Sequence, residues 1–129
     1  MIEITHRPIE PNTFFDRLKK DASGSIAVHY AVVKQMGGEE RRTESLTFQV
    51  NGDLEDEMRR LEEELKGKWP VEDVLFVRRV GTLPVGEIIS AVAVSAEGRT
   101  AAFGLCQEAV DRFKKMRCIY KEEIFEDKK

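Results

Sequence analysis

The clearest hydrophobic pattern in the sequence predicts a helix in the middle of the chain. Apolar residues recur there at intervals of four, three and four, namely Leu54, Met58, Leu61 and Leu65. This spacing places all of them on one face of a helix, with polar residues on the other faces. Acidic residues crowd the first turn, where the helix dipole favours negative charge, and Gly67 is the expected end.

Two further helices are predicted with shorter or less regular patterns. Thr13 followed three residues later by Asp16 resembles a capping box and predicts a short helix ending at Lys20. The last helix is expected to begin near Arg99 or Thr100. Its predicted apolar stripe is Phe103, Cys106, Val110 and Phe113.

Short segments rich in β-branched and aromatic residues predict six strands. They lie at residues 2–5, 26–33, 46–50, 74–77, 88–94 and 118–125. The 26–33 segment is expected to be buried over much of its length. Gly37-Gly38 and the charges after it predict a hydrophilic connection, and residues 81–86 a turn. Because helices and strands do not alternate strictly, we expect an α+β fold with a mixed β-sheet and helices packed on one side.

Composition narrows the class of protein. The chain has 129 residues, 41% of them hydrophobic and 35% charged, which predicts one domain over residues 1–129. A formal net charge of −3 argues against nucleic-acid binding through a bulk positive field. No apolar run has the length of a membrane span, and the N-terminus lacks a signal peptide pattern. Cys106 and Cys118 are too few for a zinc site or a disulfide framework, so we expect a reduced, cytoplasmic protein.

One basic cluster stands out against this acidic background. Residues 112–121 contain five bases and no acid. One explanation is that these cations stabilise the end of a helix through its dipole, by about 0.3–1 kcal/mol each. The other is an anion pocket, with Lys121 projecting from the next strand toward the helix end. Cys118 lies inside the cluster, where a thiolate would be favoured, and His29 is expected to be a hydrogen-bonded core histidine.

Several motifs in order give the chain a family resemblance. Residues 95–103 (SAEGRTAAF) are similar to S-A-H-R-x-x-A-F, and Lys114 and Lys121 match two lysines seven residues apart, the second in an aromatic-Lys-x-Glu context. Residues 24–34 and 79–87 are similar to a G-A-x-x-x-F-x-G-x-V-R strand and an H-R-I-G-x-L-x-x-G-[DE] segment. Trp69-Pro70 follows the central helix, as a W-P pair does in the same family. Together these features resemble the large, catalytic subunit of molybdopterin synthase.

The resemblance implies a fold of the α/β hammerhead type and a specific reaction. The family transfers sulfur from the C-terminal thiocarboxylate of a small ubiquitin-like carrier, which ends in Gly-Gly, to cyclic pyranopterin monophosphate. The product is the molybdopterin dithiolene used in molybdenum cofactor biosynthesis. Two large subunits form a homodimer, which with two carriers gives a heterotetramer. The large subunit itself is expected to need no metal and no cofactor.

The resemblance also implies roles for particular residues. Lys114 would lie beside the carrier's terminal carbonyl, and Lys121 would hold the substrate or act as acid and base. Arg99 would clamp the phosphate, and Lys34 occupies the place of an arginine in the family's anion site. Further cations of the basic cluster complete the predicted substrate-binding set, namely Lys115 and Arg117.

Two departures from the family pattern leave a second hypothesis open. Glu97-Gly98 stands where the family has a histidine before its arginine, and residues 49–51 (QVN) replace an E-H-Y cluster. These losses favour a non-catalytic paralogue of the same fold that binds a ubiquitin-like tail or an anionic ligand. The retained lysines, Lys114 and Lys121, favour the enzyme.

Overall fold

The computed structural model of the chain describes residues 1–35 and 42–126. Its elements in chain order are β1 (Ile2–Thr5), a 3-10 turn (Pro11–Thr13), α1 (Phe14–Leu18), β2 (Ser25–Val32), β3 (Thr43–Val50), α2 (Leu54–Lys68), β4 (Asp73–Arg79), β5 (Gly81–Pro84), β6 (Ile88–Ala96), α3 (Arg99–Phe113) and β7 (Ile119–Phe125). The predicted connection at Gly37-Gly38 lies outside the described residues.

The larger sheet has four strands in the order β1-β4-β6-β2. β1 is parallel to β4, whereas β4 and β2 are antiparallel to β6, so the sheet is mixed as predicted. β4 and β6 occupy its centre because their side chains are apolar on both faces. Val74 and Phe76 face one core cluster, and Leu75 and Val77 face another.

A second sheet of three antiparallel strands has the order β5-β3-β7. β5 covers Gly81–Pro84, a segment predicted to be only a turn. It pairs with Ser45–Phe48 of β3, and β7 pairs with the other edge of β3. Gly81 and Gly86 have φ of +106° and +96°, values that favour glycine, so the turn prediction identified where the chain bends but missed the strand between.

The two long helices lie on one face of the four-stranded sheet. The predicted stripe of α2 is fully buried there, and α3 contributes Ala102, Leu105 and Ala109 to the same core. The short helix α1 packs on the opposite face through Phe14 and Leu18. The predicted α+β class is therefore confirmed, and the structure adds a second sheet and a helix on the far side.

The end of α2 differs from the prediction. The helix continues through Gly67 to Lys68 and ends at Trp69, which is extended with φ −112° and ψ 136°. Pro70 explains this end, because the residue before a proline is sterically pushed out of helical conformation. Gly67 lies inside the helix, and a Cβ added there would meet no atom within 4 Å apart from its chain neighbours and the helix's own backbone.

Trp69 fixes the position of α3 against α2. Its ring lies so close to Gly104 that a Cβ added there would be 2.3 Å from the nearest ring carbon. The indole N–H donates to Glu108 of α3 at 3.0 Å, and Lys68 donates to the same carboxylate. These hydrogen bonds lower the pKa of Glu108. Gly104 is thus required by close packing rather than by backbone conformation.

Two predictions about burial are wrong. β2 lies at the edge of its sheet, and Val28, Tyr30 and Val32 are exposed rather than buried. Phe103 was placed in the apolar stripe of α3, yet it is 63% exposed, because Ala102 and Leu105 occupy the face toward the sheet. A strand rich in apolar residues can therefore lie at an edge, and its exposed side chains mark a surface available to another molecule.

Candidate active site

A cavity of about 510 Å³ opens where the C-terminal end of α3 meets both sheets. Three cationic side chains line it, Arg78 from β4, Lys114 from the end of α3 and Lys121 from β7. No carboxylate is among its described lining residues, and much of the rest of the wall is apolar or aromatic. The cavity is therefore suited to an anion that also carries an apolar or uncharged portion.

Local structure brings the two lysines to this cavity. Lys114 is the C-cap of α3, so its side chain leaves the helix where the chain turns toward β7. Lys121 pairs with Phe48 across the β3–β7 ladder, and residues opposite one another in such a ladder project to the same face. Both lysines are exposed, which places their ammonium groups at the mouth of the cavity rather than in its buried part.

The connection between the two lysines is fixed by a carboxylate from α2. Glu57 accepts hydrogen bonds from the backbone N–H groups of Arg117 at 2.8 Å and Cys118 at 2.9 Å. The backbone N–H of Asn51 donates to the Cys118 carbonyl at 2.8 Å, which joins the start of β7 to the end of β3. These bonds set the point at which β7 begins and hence the position of Lys121.

Arg78 forms the buried part of the cavity. It is 6% exposed, and its guanidinium carbon lies 5.8 Å from the centre of the Phe48 ring and 5.4 Å from that of Phe113. Its Nε is buried without a hydrogen-bond partner. Burial lowers the pKa of Arg78 to about 10, and the charge of Glu57 partly offsets this effect. Arg78 is thus a desolvated cation held between aromatic rings.

A second groove of about 370 Å³ lies on the other side of the α3–β7 connection. Lys115 and Arg117 line this groove rather than the cavity. Acidic residues of α2 line it as well, and Glu64 forms an ion pair with Arg112. The basic cluster is therefore divided between two surfaces, one without acids and one with them.

The remaining predicted substrate-binding residues lie away from the cavity. Arg99 begins α3, and Lys114 follows its last residue, so about 20 Å of helix separates them. Lys34 lies just beyond the end of β2 and is exposed. Neither residue lines the cavity within one chain.

Two expectations about single residues are wrong. His29 is exposed and lines the cavity rather than lying in the core, because β2 is an edge strand. The Cys118 thiol was expected to favour its thiolate among the surrounding bases. Its pKa is instead raised, first by desolvation and then by the charge and hydrogen bond of Glu57, because the thiol faces that carboxylate.

Arg78 and the two phenylalanines beside it were not identified from the sequence. The available signal was the pair Arg78-Arg79 at the end of a strand that is otherwise apolar. In the described part of the chain, no cluster of three or more His, Cys, Asp or Glu residues is arranged to hold a metal ion. Within residues 1–35 and 42–126, no helix combines the length and apolar character needed to cross a membrane.

Comparison with known proteins identifies the family. The model of the family described as MoaE protein matches residues 4–116. The chain is 29% identical over 126 residues to molybdopterin synthase catalytic subunits of Staphylococcus epidermidis and Bacillus subtilis, covering 97% of this chain and 83% and 80% of those proteins.

Solved structures agree with these matches. The X-ray structure of molybdopterin synthase from Staphylococcus aureus superposes with a TM-score of 0.90 at 27% identity, covering 98% of this chain and 92% of that one. A protein–protein complex of subunits 1 and 2 of molybdopterin-converting factor from Helicobacter pylori shares the fold, with a TM-score of 0.77 at 15% identity, covering 98% and 86%. The chain therefore belongs to the MoaE family of molybdopterin synthase catalytic subunits, which act in molybdenum cofactor biosynthesis.

Proposed function

We propose that this protein transfers sulfur from the C-terminal thiocarboxylate of a small ubiquitin-like carrier to cyclic pyranopterin monophosphate, forming the molybdopterin dithiolene. The observation that carries the proposal is that Lys114 and Lys121 line one cavity that has no carboxylate among its described lining residues. A sulfurtransferase of this kind needs such a site, because the thiocarboxylate and the phosphorylated substrate are both anions.

The two lysines have different proposed roles. Lys114 lies beside the carrier's terminal carbonyl, where an ammonium group stabilises the negative charge that develops on oxygen when water adds to the carbonyl carbon, before the carbon–sulfur bond breaks. The thiocarboxylate sulfur bonds to a side-chain carbon of the pterin and displaces an oxygen substituent, which leaves the carrier joined to the pterin as a thioester. Water then adds to the thioester carbonyl and the carbon–sulfur bond to the carrier breaks, so the sulfur stays on the pterin and the carrier ends in a carboxylate. A second thiocarboxylated carrier supplies the second sulfur of the dithiolene in the same way. Lys121 holds the substrate or moves the proton needed for opening of the pterin ring.

Phosphate binding is proposed to require a second copy of the chain. Arg99 is about 20 Å of helix away from Lys114, so it reaches this cavity only from a homodimer partner. The exposed side chains of Val28, Tyr30 and Val32 on edge strand β2 support such a dimer, because contiguous apolar surface favours association. Outside the cavity, further cations are proposed to contribute to substrate binding, namely Lys34, Lys115 and Arg117.

The proposed partner is a ubiquitin-like subunit that ends in Gly-Gly. A tail of two glycines has no side chains, so its end can enter a cavity of about 510 Å³ that also has to hold the substrate. The two-subunit complex named for the Helicobacter pylori protein supports this assembly, which for a dimer of this chain gives a heterotetramer. The cytoplasm is the proposed location.

The direct test is a reconstituted reaction. The purified protein is mixed with thiocarboxylated carrier and cyclic pyranopterin monophosphate, and molybdopterin is measured as its fluorescent oxidation product. We expect product with the thiocarboxylate and none with the same carrier ending in an ordinary carboxylate. Absence of product with both carriers contradicts the proposal.

A non-catalytic paralogue remains the second candidate because of specific residues. Gln49 stands in the position of a lost polar cluster, where it accepts a hydrogen bond from the Tyr120 hydroxyl at 2.5 Å, and Tyr120 lines the cavity. Glu97, exposed before α3, adds a negative charge near Arg99. Tight binding of the thiocarboxylated carrier without product in the same reaction would favour this candidate.

A further inference from the structure

Arg78 carries a buried charge that none of the described acidic side chains pairs with. Its neighbour in the sequence, Arg79, is similarly buried and forms an ion pair with Glu87. The Nε atoms of both arginines are buried without a hydrogen-bond partner, but within the described residues no carboxylate forms an ion pair with Arg78. A buried guanidinium without a counter-ion is destabilising, so its presence calls for a role that an apolar residue would not fill.

The surroundings of Arg78 indicate that its counter-ion enters from the cavity. Arg78 lines the cavity together with Phe48 and Phe113, whose rings hold the guanidinium in place. The charge of Glu57 acts on Arg78 and raises its pKa. Both carboxylate oxygens of Glu57, however, already accept hydrogen bonds from the backbone N–H groups of Arg117 and Cys118. The charge of Arg78, which no described carboxylate pairs with, therefore lies at the wall of a cavity that is large enough for a ligand.

We propose that Arg78, from the buried side of the cavity, binds the terminal carboxylate or thiocarboxylate of the carrier's last glycine and holds it toward Lys114 at the mouth, as a positioning residue for sulfur transfer. This inference rests on the proposed function, since it assumes that a carrier tail enters the cavity. It adds a third cation, from a different strand, to the two lysines at the mouth.

The chemistry favours a carboxylate over a phosphate at Arg78. A planar guanidinium binds a carboxylate or a phosphate through two parallel hydrogen bonds, so the hydration of the two anions decides between them. Aromatic and aliphatic walls around Arg78 strip water from the ligand, and a monoanion loses less hydration there than a phosphate dianion. Lys114 and Lys121 are exposed point charges, which suit the phosphorylated substrate and the reacting oxygen.

The test compares two synthetic ten-residue peptides that end in Gly-Gly, one with a free carboxylate and one with a terminal amide. Binding is measured by fluorescence anisotropy to the wild type, Arg78→Gln, Arg78→Lys and the matched control Arg59→Gln. Arg59→Gln is a good control because, like Arg78→Gln, it removes one positive charge, but from an exposed position on α2 away from the cavity.

We expect the wild type and Arg59→Gln to bind the carboxylate peptide about 10- to 100-fold more tightly than the amide. Arg78→Gln should bind both peptides equally, with the amide affinity unchanged. Arg78→Lys, which keeps the charge but not the planar fork, should retain a preference of only a few-fold. Circular dichroism establishes that each variant is folded, and Arg78→Lys carries the test if Arg78→Gln does not fold.

Three results would overturn the inference. The first is a wild type that does not distinguish the peptides or binds neither. The second is a carboxylate preference that survives in both Arg78 variants. The third is loss of inorganic phosphate binding in Arg78→Gln with peptide binding intact, which would assign Arg78 to the phosphate. Because the peptide experiment needs no turnover, it separates this inference from sulfur transfer. Binding that depends on Arg78 without product formation would contradict only the proposed reaction.

Discussion

The cavity and the groove on either side of the α3–β7 connection share one basic cluster but differ in electrostatics. In the cavity, Lys114 and Lys121 are joined by Arg78, and no acid is among the described lining residues. In the groove, Arg112, Lys115 and Arg117 are accompanied by acidic residues of α2. The cations of the groove are therefore partly neutralised by acidic side chains, whereas those of the cavity are not.

This difference assigns the helix-end explanation to the half of the cluster in the groove and supports the proposed anion pocket for the half in the cavity. Arg112 lies in the last turn of α3, where cations stabilise the helix end, and it is paired with Glu64. Lys114, two residues later, faces the cavity. A charge count along the sequence does not separate them, because the deciding acids come from α2, about 50 residues earlier.

The sharpest test of the comparison replaces one cation on each side. Lys114→Ala should lower kcat for sulfur transfer about 10²- to 10³-fold, the usual effect of removing a group that stabilises developing charge on oxygen. Arg112→Ala, on the same helix but facing the groove, should change kcat less than about 3-fold. Molybdopterin formation measures both. Equal losses in the two variants, or wild-type turnover by Lys114→Ala, would remove the functional distinction.

The two adjacent arginines of β4 test, through the free energy of unfolding, whether a cation paired with an acid differs from one without such a partner. Arg79→Met should lower the free energy of unfolding by about 2–4 kcal/mol, because it leaves the partly buried Glu87 without its counter-ion. Arg78→Met should change it by less than about 1 kcal/mol, since the lost ring contacts are offset by removal of an uncompensated charge. Urea unfolding measures both values. A greater loss for Arg78→Met would show that its charge is already balanced in the free protein.

Glu57 lines the groove and also fixes the start of β7, which carries Lys121 into the cavity. Its substitution should change the free energy of unfolding by an intermediate amount. Glu57→Gln should lower the free energy of unfolding by about 1–2 kcal/mol, because a neutral amide accepts the Arg117 and Cys118 N–H groups less strongly. The Cys118 pKa should fall, since Glu57 raises it, so more thiolate forms at pH 8 and reaction with a chromogenic disulfide reagent is faster.

Cys106 is the internal control for that experiment. Its pKa is raised by burial alone, so its reactivity should not change in Glu57→Gln. Acceleration of both thiols would indicate general loosening of the fold rather than removal of a neighbouring charge.

The smallest effect is expected for the surface ion pair of the groove. A double-mutant cycle with Arg112→Ala and Glu64→Ala should give a coupling energy below about 1 kcal/mol, because both side chains are about half exposed. Thermal unfolding at low and high salt measures it, and the coupling should decrease at high salt. A coupling of several kcal/mol would mean that the groove is an organised site rather than a solvated face.

The sequence predicted most elements whose pattern is local. β1 at Ile2–Thr5 and the start of α3 at Arg99 are confirmed, as is the buried face of α2, because regular spacing, capping and β-rich runs depend on neighbouring residues. The second sheet was missed because β5 has only four residues and exists through its pairing with β3, more than 30 residues away.

Site residues, like strands, were predicted only where the signal lies in neighbouring residues of the sequence. The two lysines were found because their spacing along the chain resembles a family pattern. Arg78 was missed because its importance depends on Phe48 and Phe113, which come from another strand and a helix, and on the lack of a paired acid. The edge position of β2, which exposes His29 to the cavity, also depends on sheet order and not on the strand's own residues.

The contact between Trp69 and Gly104 has a consequence for how this protein tolerates sequence change. Lys114 is ten residues beyond Gly104, about 15 Å along helix α3, and α3 packs against the Trp69 ring at Gly104. The methyl group of a Gly104→Ala variant would push α3 away from the Trp69 ring and would move the Lys114 ammonium group with the helix. The position of Lys114 thus depends on Gly104, which does not line the cavity, so a substitution at residue 104 would displace Lys114 without changing any residue of the cavity wall.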